Sequence, residues 1–139
     1  MDIFSRKVLS WRISNSLDTS FCIEALQEAI FRYGIPALMN TDQGSQFTSD
    51  AFTQVLKDHE IEISMDGKGR ALDNIYIERL WRSLKYEDIY LNDYRNIAEI
   101  RNGVKKYLHF YNTKRFHQSL DYQTPEEMYE SFQKREITA

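Results

Sequence analysis

The sequence predicts an α/β domain with one core, and three observations carry that reading. Apolar residues alternate over 7–14 and again over 61–65, as along strands; they recur at helical spacing over 18–33 and 72–87; and the two patterns take turns through the first half of the chain. With 139 residues, 42% of them hydrophobic, and no Gly-, Ser- or Pro-rich linker, residues 1–139 are expected to form a single domain.

Each element has its own local reason. Phe4-Ser5-Arg6 reads as a turn, after which Leu9, Trp11 and Ile13 alternate with Val8, Ser10 and Arg12, predicting a strand over Lys7–Ser14. From Asp18 to Tyr33, Cys22, Leu26, Ala29, Ile30 and Tyr33 share one helical face, with Asp18 or Thr19 as cap and Gly34 as stop. Pro36 then restores an extended path, and Ala37–Thr41 forms a short, mostly buried strand with Asp42 at its carboxyl end, the end at which open α/β sheets bind ligands. Phe52, Val55 and Leu56 predict a helix over Asp50–His59 capped by Thr48 or Ser49, and Ile61, Ile63 and Met65 predict the next strand.

Asp66-Gly67-Lys68-Gly69-Arg70 breaks the pattern and reads as a loop. A helix follows over Leu72–Glu87. At 100° per residue, Tyr76, Leu80 and Leu84 face the core while Glu78 and Lys85 face outward, Asn74 staying near the Glu78 side. Ile97, Ile100, Val104, Tyr107, Leu108 and Tyr111 mark another amphipathic helix, and Thr124-Pro125-Glu126-Glu127 opens a last one with a Thr cap and a capping-box Glu.

The formal charge of −3 argues at first against nucleic acid, whose affinity rests on Lys and Arg displacing counterions from phosphate. The distribution argues otherwise: Arg79 to His117 holds nine Lys and Arg against four Asp and Glu. A polar helix face accounts for part of that segregation without any ligand. The single cysteine, Cys22, can form no internal disulfide and suits a reducing, cytoplasmic setting. No run approaches 18 apolar residues, so no membrane span is predicted.

Thirty-five residues lie between Asp42 and Glu78, each of which sits within a polar signature, and Lys85 trails Glu78 by seven positions. Two convergent carboxylates are hard oxygen ligands for magnesium, or manganese in its place, and two such ions stabilise the charge that builds on a pentacoordinate phosphorus. In this reading both acids are catalytic metal ligands. Lys85 lies roughly 10 Å along the helix from Glu78 and suits a neighbouring DNA phosphate, and Asn74, Arg82, Lys68 and Arg70 are further candidate DNA contacts. The purely structural alternative is that Asp42 caps an Asp-Gln-Gly turn and Glu78 pairs with Arg82.

Several strings resemble the catalytic core of bacterial insertion-sequence transposases related to retroviral integrases: Asp2-Ile3-Phe4-Ser5-Arg6-Lys7-Val8, Asn40-Thr41-Asp42-Gln43-Gly44-Ser45-Gln46-Phe47, Gly67-Lys68-Gly69-Arg70-Ala71-Leu72-Asp73-Asn74 through Glu78-Arg79, Trp81-Arg82-Ser83-Leu84-Lys85, and Tyr111-Asn112-Thr113-Lys114-Arg115-Phe116-His117-Gln118-Ser119-Leu120 with Thr124-Pro125. The resemblance implies a ribonuclease-H-like α/β/α core lacking its first strand, with additional C-terminal helices. It also implies that Asp42 and Glu78 are the second and third acids of a DDE triad, and that Lys85 contacts transposon-end DNA. The family's first Asp has no match, because Asp2 corresponds to the acid before the Ser-Arg turn. Metal-dependent phosphoryl transfer on transposon ends and target DNA is therefore expected to be absent, or at most very weak, from this chain alone. The other reading is a non-catalytic remnant that binds DNA or oligomerises, with itself or with intact transposase.

Overall fold

A computed structural model describes residues 1–65 and 74–138, which fall into two compact units. One comprises Leu9–Ile75; the other joins Met1–Val8 to Tyr76–Ala139. The expected loop over 66–70, with Lys68 and Arg70, lies outside the described residues.

In the Leu9–Ile75 unit, helix α1 (Ser20–Tyr33) leads to strand β1 (Leu38–Thr41), helices α2 (Ser45–Thr48) and α3 (Asp50–Asp58), and strand β2 (Glu62–Met65). Asp18 accepts a hydrogen bond from the Ser20 amide at 3.3 Å, and Gly34 closes α1 at φ 90°, in the left-handed region that favours glycine. Ser49 caps α3 by accepting from the Phe52 amide. The strands pair in parallel, Leu38 opposite Glu62 and Thr41 opposite Met65, so α2 and α3 serve as the crossover that parallel strands need. The amphipathic faces close on one core of Cys22, Leu26, Phe52, Leu56 and Ile61, with Met39, Phe47 and Ile63 packed against it.

No strand forms over Lys7–Ser14, contrary to the alternating pattern; among the described residues the sheet has two strands. At Val8 a side chain, not a neighbouring strand, satisfies the backbone. The Asn112 carboxamide accepts from the Val8 amide and donates to the Val8 carbonyl, each at 2.9 Å. Further along, Ser10 donates to Glu28 at 3.1 Å and Arg12 pairs with the same carboxylate. Leu9, Trp11 and Ile13 are half-buried, but so is Ser10, and Val8 is buried, so burial alternates only from Trp11 to Ser14.

In the other unit, α4 (Ile75–Glu87) is followed by α5 (Ile97–Thr113) and α6 (Pro125–Thr138), with a 3-10 turn before each of the last two helices. Leu80 and Leu84 of α4 are buried, as are Val104, Tyr107, Leu108 and Tyr111 of α5. Tyr76, expected on the core face, is only half-buried. Asn96 caps α5 through the Glu99 amide at 2.9 Å. At α6 the capping box closes in both directions: Glu127 accepts from the Thr124 amide at 2.8 Å and Thr124 Oγ1 from the Glu127 amide at 3.2 Å. At the start of the chain, Asp2 caps a tight turn, accepting from the Ser5 amide at 2.8 Å while its own amide donates to the Lys7 carbonyl. Arg6 completes that turn at φ 65°, left-handed without being glycine.

Candidate functional site

Asp42 follows the last residue of β1, where the chain leaves the sheet, and its side chain is exposed. Its Oδ1 accepts from the Gly44 amide at 2.8 Å, which turns the backbone into α2 and fixes one oxygen of the carboxylate. The glycine is needed for space rather than for an unusual dihedral, since its φ of −59° suits any residue. A Cβ there would lie 2.8 Å from Asp42 Oδ1, closer than real contacts allow. Gly44→Ala is therefore expected to cost about 0.5–1.5 kcal/mol of stability, the net worth of the hydrogen bond it breaks, while swinging the Asp42 carboxylate aside. Chemical denaturation checks the first expectation, and a weakened metal affinity by calorimetry checks the second.

Asn74, proposed from sequence as a DNA contact, is brought to the strand that delivers Asp42: Asn40 Nδ2 donates to its Oδ1 at 3.4 Å. Asp42 also makes itself felt at Cys22, whose thiol is pushed up first by burial and then by this negative charge.

Glu78 lies in the first turn of α4, fully consistent with its expected outward face, and both it and Lys85 are exposed. A carboxylate there is favoured by the positive end of the helix dipole. The ion pair with Arg82 that a structural role would require is not formed: among the described residues no cation lies within salt-bridge distance of Glu78. Arg82 instead rests over the Tyr86 ring, 5.9 Å from its centroid.

The acid on α4 that is neutralised is Glu87. Arg115 clasps it with two hydrogen bonds, Nε at 3.1 Å and Nη2 at 2.8 Å, and Tyr107 donates its hydroxyl at 2.7 Å. Arg115 first, and Tyr107 after it, hold the Glu87 carboxyl below its ordinary range despite partial burial. Beside this pair His117 is held down to about 4, mainly by burial, with Arg115 and Arg6 adding repulsion. A histidine depressed in the folded state takes up its proton more readily when unfolded, so its contribution is complete above pH 6.5 and is lost as pH falls toward 4. His117→Phe is expected to flatten the fall in stability over that window, measured by thermal unfolding at successive pH values.

Spacing passed over Arg6, Arg79 and Arg115, which gather with Arg82 around one cavity in this unit. The signal was present, since Arg6 and Arg115 lie inside motif strings; what was missing was their common destination.

The integrase core domain profile matches residues 1–71, more than half the chain, and a second integrase core domain profile matches residues 59–125. The chain belongs to the integrase core domain family. Among curated proteins, this integrase core is 34% identical over 130 residues to the transposase of insertion sequence element IS904 from Lactococcus lactis, covering 91% of the chain and 51% of that protein. It is 30% identical over 128 residues to the transposase of IS629 from Shigella sonnei, covering 91% of the chain and 43% of that protein. It thus spans about half the length of these relatives. Among solved structures, the integrase catalytic core of HTLV-2 in complex with magnesium superposes with a TM-score of 0.70 at 25% identity, over 91% of this chain and 78% of that one. The fold is accordingly the ribonuclease-H-like α/β fold of integrase catalytic cores. Among the described residues, no helix is long and apolar enough to cross a membrane.

Proposed function

We propose that this integrase core is the catalytic segment of a DNA transposase, acting in the cytoplasm on transposon ends and target DNA. In this reading Asp42 and Glu78 hold a divalent metal, magnesium or manganese. The observation that carries it is a pair of exposed carboxylates, one within each matched profile, whose charge no cation neutralises among the described residues. Donor chemistry fits: both are hard oxygen ligands of the kind magnesium takes. Two carboxylates are fewer oxygen donors than magnesium takes, so the pair is read as part of a donor set rather than all of it. The metal, when bound, supplies Lewis-acid stabilisation of charge at the phosphorus.

The chain's own residues position the substrate. Lys85 and Arg82 on the exposed side of α4, with Lys68, Arg70 and Asn74, hold the DNA backbone so that the scissile phosphate meets the carboxylates. Charge-assisted contacts of this kind orient a strand without reading its sequence. The trimeric and dimeric forms of the HTLV-2 integrase core support a homo-oligomer as the working form, and assembly with an intact transposase is the alternative proposed beside it.

The test is to incubate the chain with end-labelled insertion-sequence termini and Mg2+ or Mn2+. Inactivity, or at most a trace of metal-dependent nicking or joining, is expected from the chain alone; robust strand transfer that vanishes in both Asp42→Asn and Glu78→Gln would assign the two residues to the chemistry and overturn the expected inactivity. Activity that both substitutions leave unchanged would remove these two residues from the chemistry.

A further inference from the structure

Four arginines converge on a cavity of about 620 Å³ in the unit formed by Met1–Val8 and Tyr76–Ala139: Arg6 from the N-terminal turn, Arg79 and Arg82 from α4, and Arg115 from the segment after α5. The volume lies within the range of roughly 300–1,000 Å³ typical of ligand sites, and is larger than a lone inorganic anion needs. Concentrating like charges costs energy unless something offsets it. Of these four, and among the described residues, Arg115 alone has a carboxylate partner, Glu87; Arg6, Arg79 and Arg82 have none.

What faces the guanidinium groups of Arg6, Arg79 and Arg82 is aromatic, and Arg115 has a ring beside it as well as Glu87. Arg6 stacks on Tyr76 at 3.4 Å from the ring centroid, and Arg79 approaches the same ring at 5.8 Å. Arg82 lies over Tyr86 at 5.9 Å and Arg115 over Tyr111 at 5.8 Å. Stacking uses the flat face of a guanidinium and leaves its in-plane N–H donors available, whereas a carboxylate consumes both charge and donors. Arg6 spends one donor on the Phe4 carbonyl, and Arg115 keeps Nη1 after bonding Glu87 through Nε and Nη2. The left-handed φ of Arg6 is the kind of local strain that persists where a side chain must be aimed. The depressed His117, its Nε2 buried without a hydrogen-bond partner among the described residues, sits in the same positive environment.

We propose that this arginine cavity is a DNA phosphate clamp, in which Arg6, Arg79 and Arg82, braced on tyrosine rings, grip consecutive phosphodiesters of one DNA strand. Choosing DNA over another polyanion rests on the function proposed above; the anionic class rests on the cavity alone. The clamp needs no metal, so it works when the carboxylates are empty.

The test is fluorescence anisotropy of a labelled single-stranded oligonucleotide in EDTA, over a series of salt concentrations. One lost phosphate contact lowers the log–log salt slope by about 0.7 and weakens binding roughly fivefold at 0.1 M salt. That loss is expected for Arg6→Gln and for Arg79→Gln, the latter on an exposed helix position where folding is not at stake. Lys134→Gln, on α6 and outside the cavity, serves as the charge control. Pocket variants indistinguishable from that control would overturn the clamp. Orthophosphate that shifts the His117 ring resonances and is displaced by the oligonucleotide supports it; orthophosphate that the oligonucleotide fails to displace would overturn the choice of DNA. Because EDTA is present, the arginine variants are read with no metal bound, which separates failure of the clamp from failure of the metal chemistry.

Discussion

Phe52→Ala is expected to lower the stability of the chain by about 3–5 kcal/mol, the cost of emptying a large aromatic site in a packed core. Phe52 is 1% exposed and meets Phe47 edge to face, centroids 5.3 Å apart, inside the cluster that includes Leu26, Leu56 and Ile61. The side chains of the surrounding cluster are apolar, so the lost dispersion contacts are not replaced. A domain of this size holds only about 5–15 kcal/mol in total, so the variant should be partly unfolded near 37 °C. The effect reaches the site as well, because Phe47 belongs to α2, the helix that follows the Asp42 turn. Urea denaturation followed by circular dichroism measures it; a loss below about 1 kcal/mol would mean that the core repacks and that Phe52 does not anchor this unit.

Helices were legible in the sequence because their caps and faces agree. Thr124 and Glu127 form the reciprocal box that their spacing predicts, and Ser49 caps α3 as one of two candidates. Strands were legible only where a partner exists. Residues 38–41 and 62–65 pair in parallel, but the equally regular alternation over 7–14 does not, since periodicity reports one-sided burial and a side chain such as Asn112 can satisfy an extended backbone. The short α2 carries no periodic signal in four residues and follows from the Asp42 turn instead.

The site divides in a similar way. Helical geometry put Glu78 and Lys85 on the outward side of α4, and both are exposed. Tyr76 was assigned to the core by the same geometry, yet it serves as a platform for Arg6, a contact between residues 70 positions apart that no local pattern encodes. Arg82 suited two readings from sequence alone, ion-pair partner or DNA contact, and its freedom from Glu78 favours the second. Asp42 combines its two: it closes the Asp-Gln-Gly turn with one oxygen and remains an exposed carboxylate.

The second large effect concerns metal. If Asp42 and Glu78 are joint ligands, removing either charge takes away a first-contact oxygen donor and about half of the negative charge that attracts the ion. Ligand-supporting partners alone are worth about 10–100-fold in affinity, so losing a ligand itself should cost at least about 10-fold. Asn and Gln keep the shape of the side chains, and both positions are exposed, so folding should be unaffected. Gly44→Ala should produce a smaller loss in the same direction. The direct measurement is a Mn2+ titration by electron paramagnetic resonance on the wild-type chain, Asp42→Asn, Glu78→Gln and the double variant. Saturable binding that weakens at least about 10-fold in each single variant, with little further loss in the double, is the predicted result; binding equal to wild type in either single variant would contradict a shared metal site.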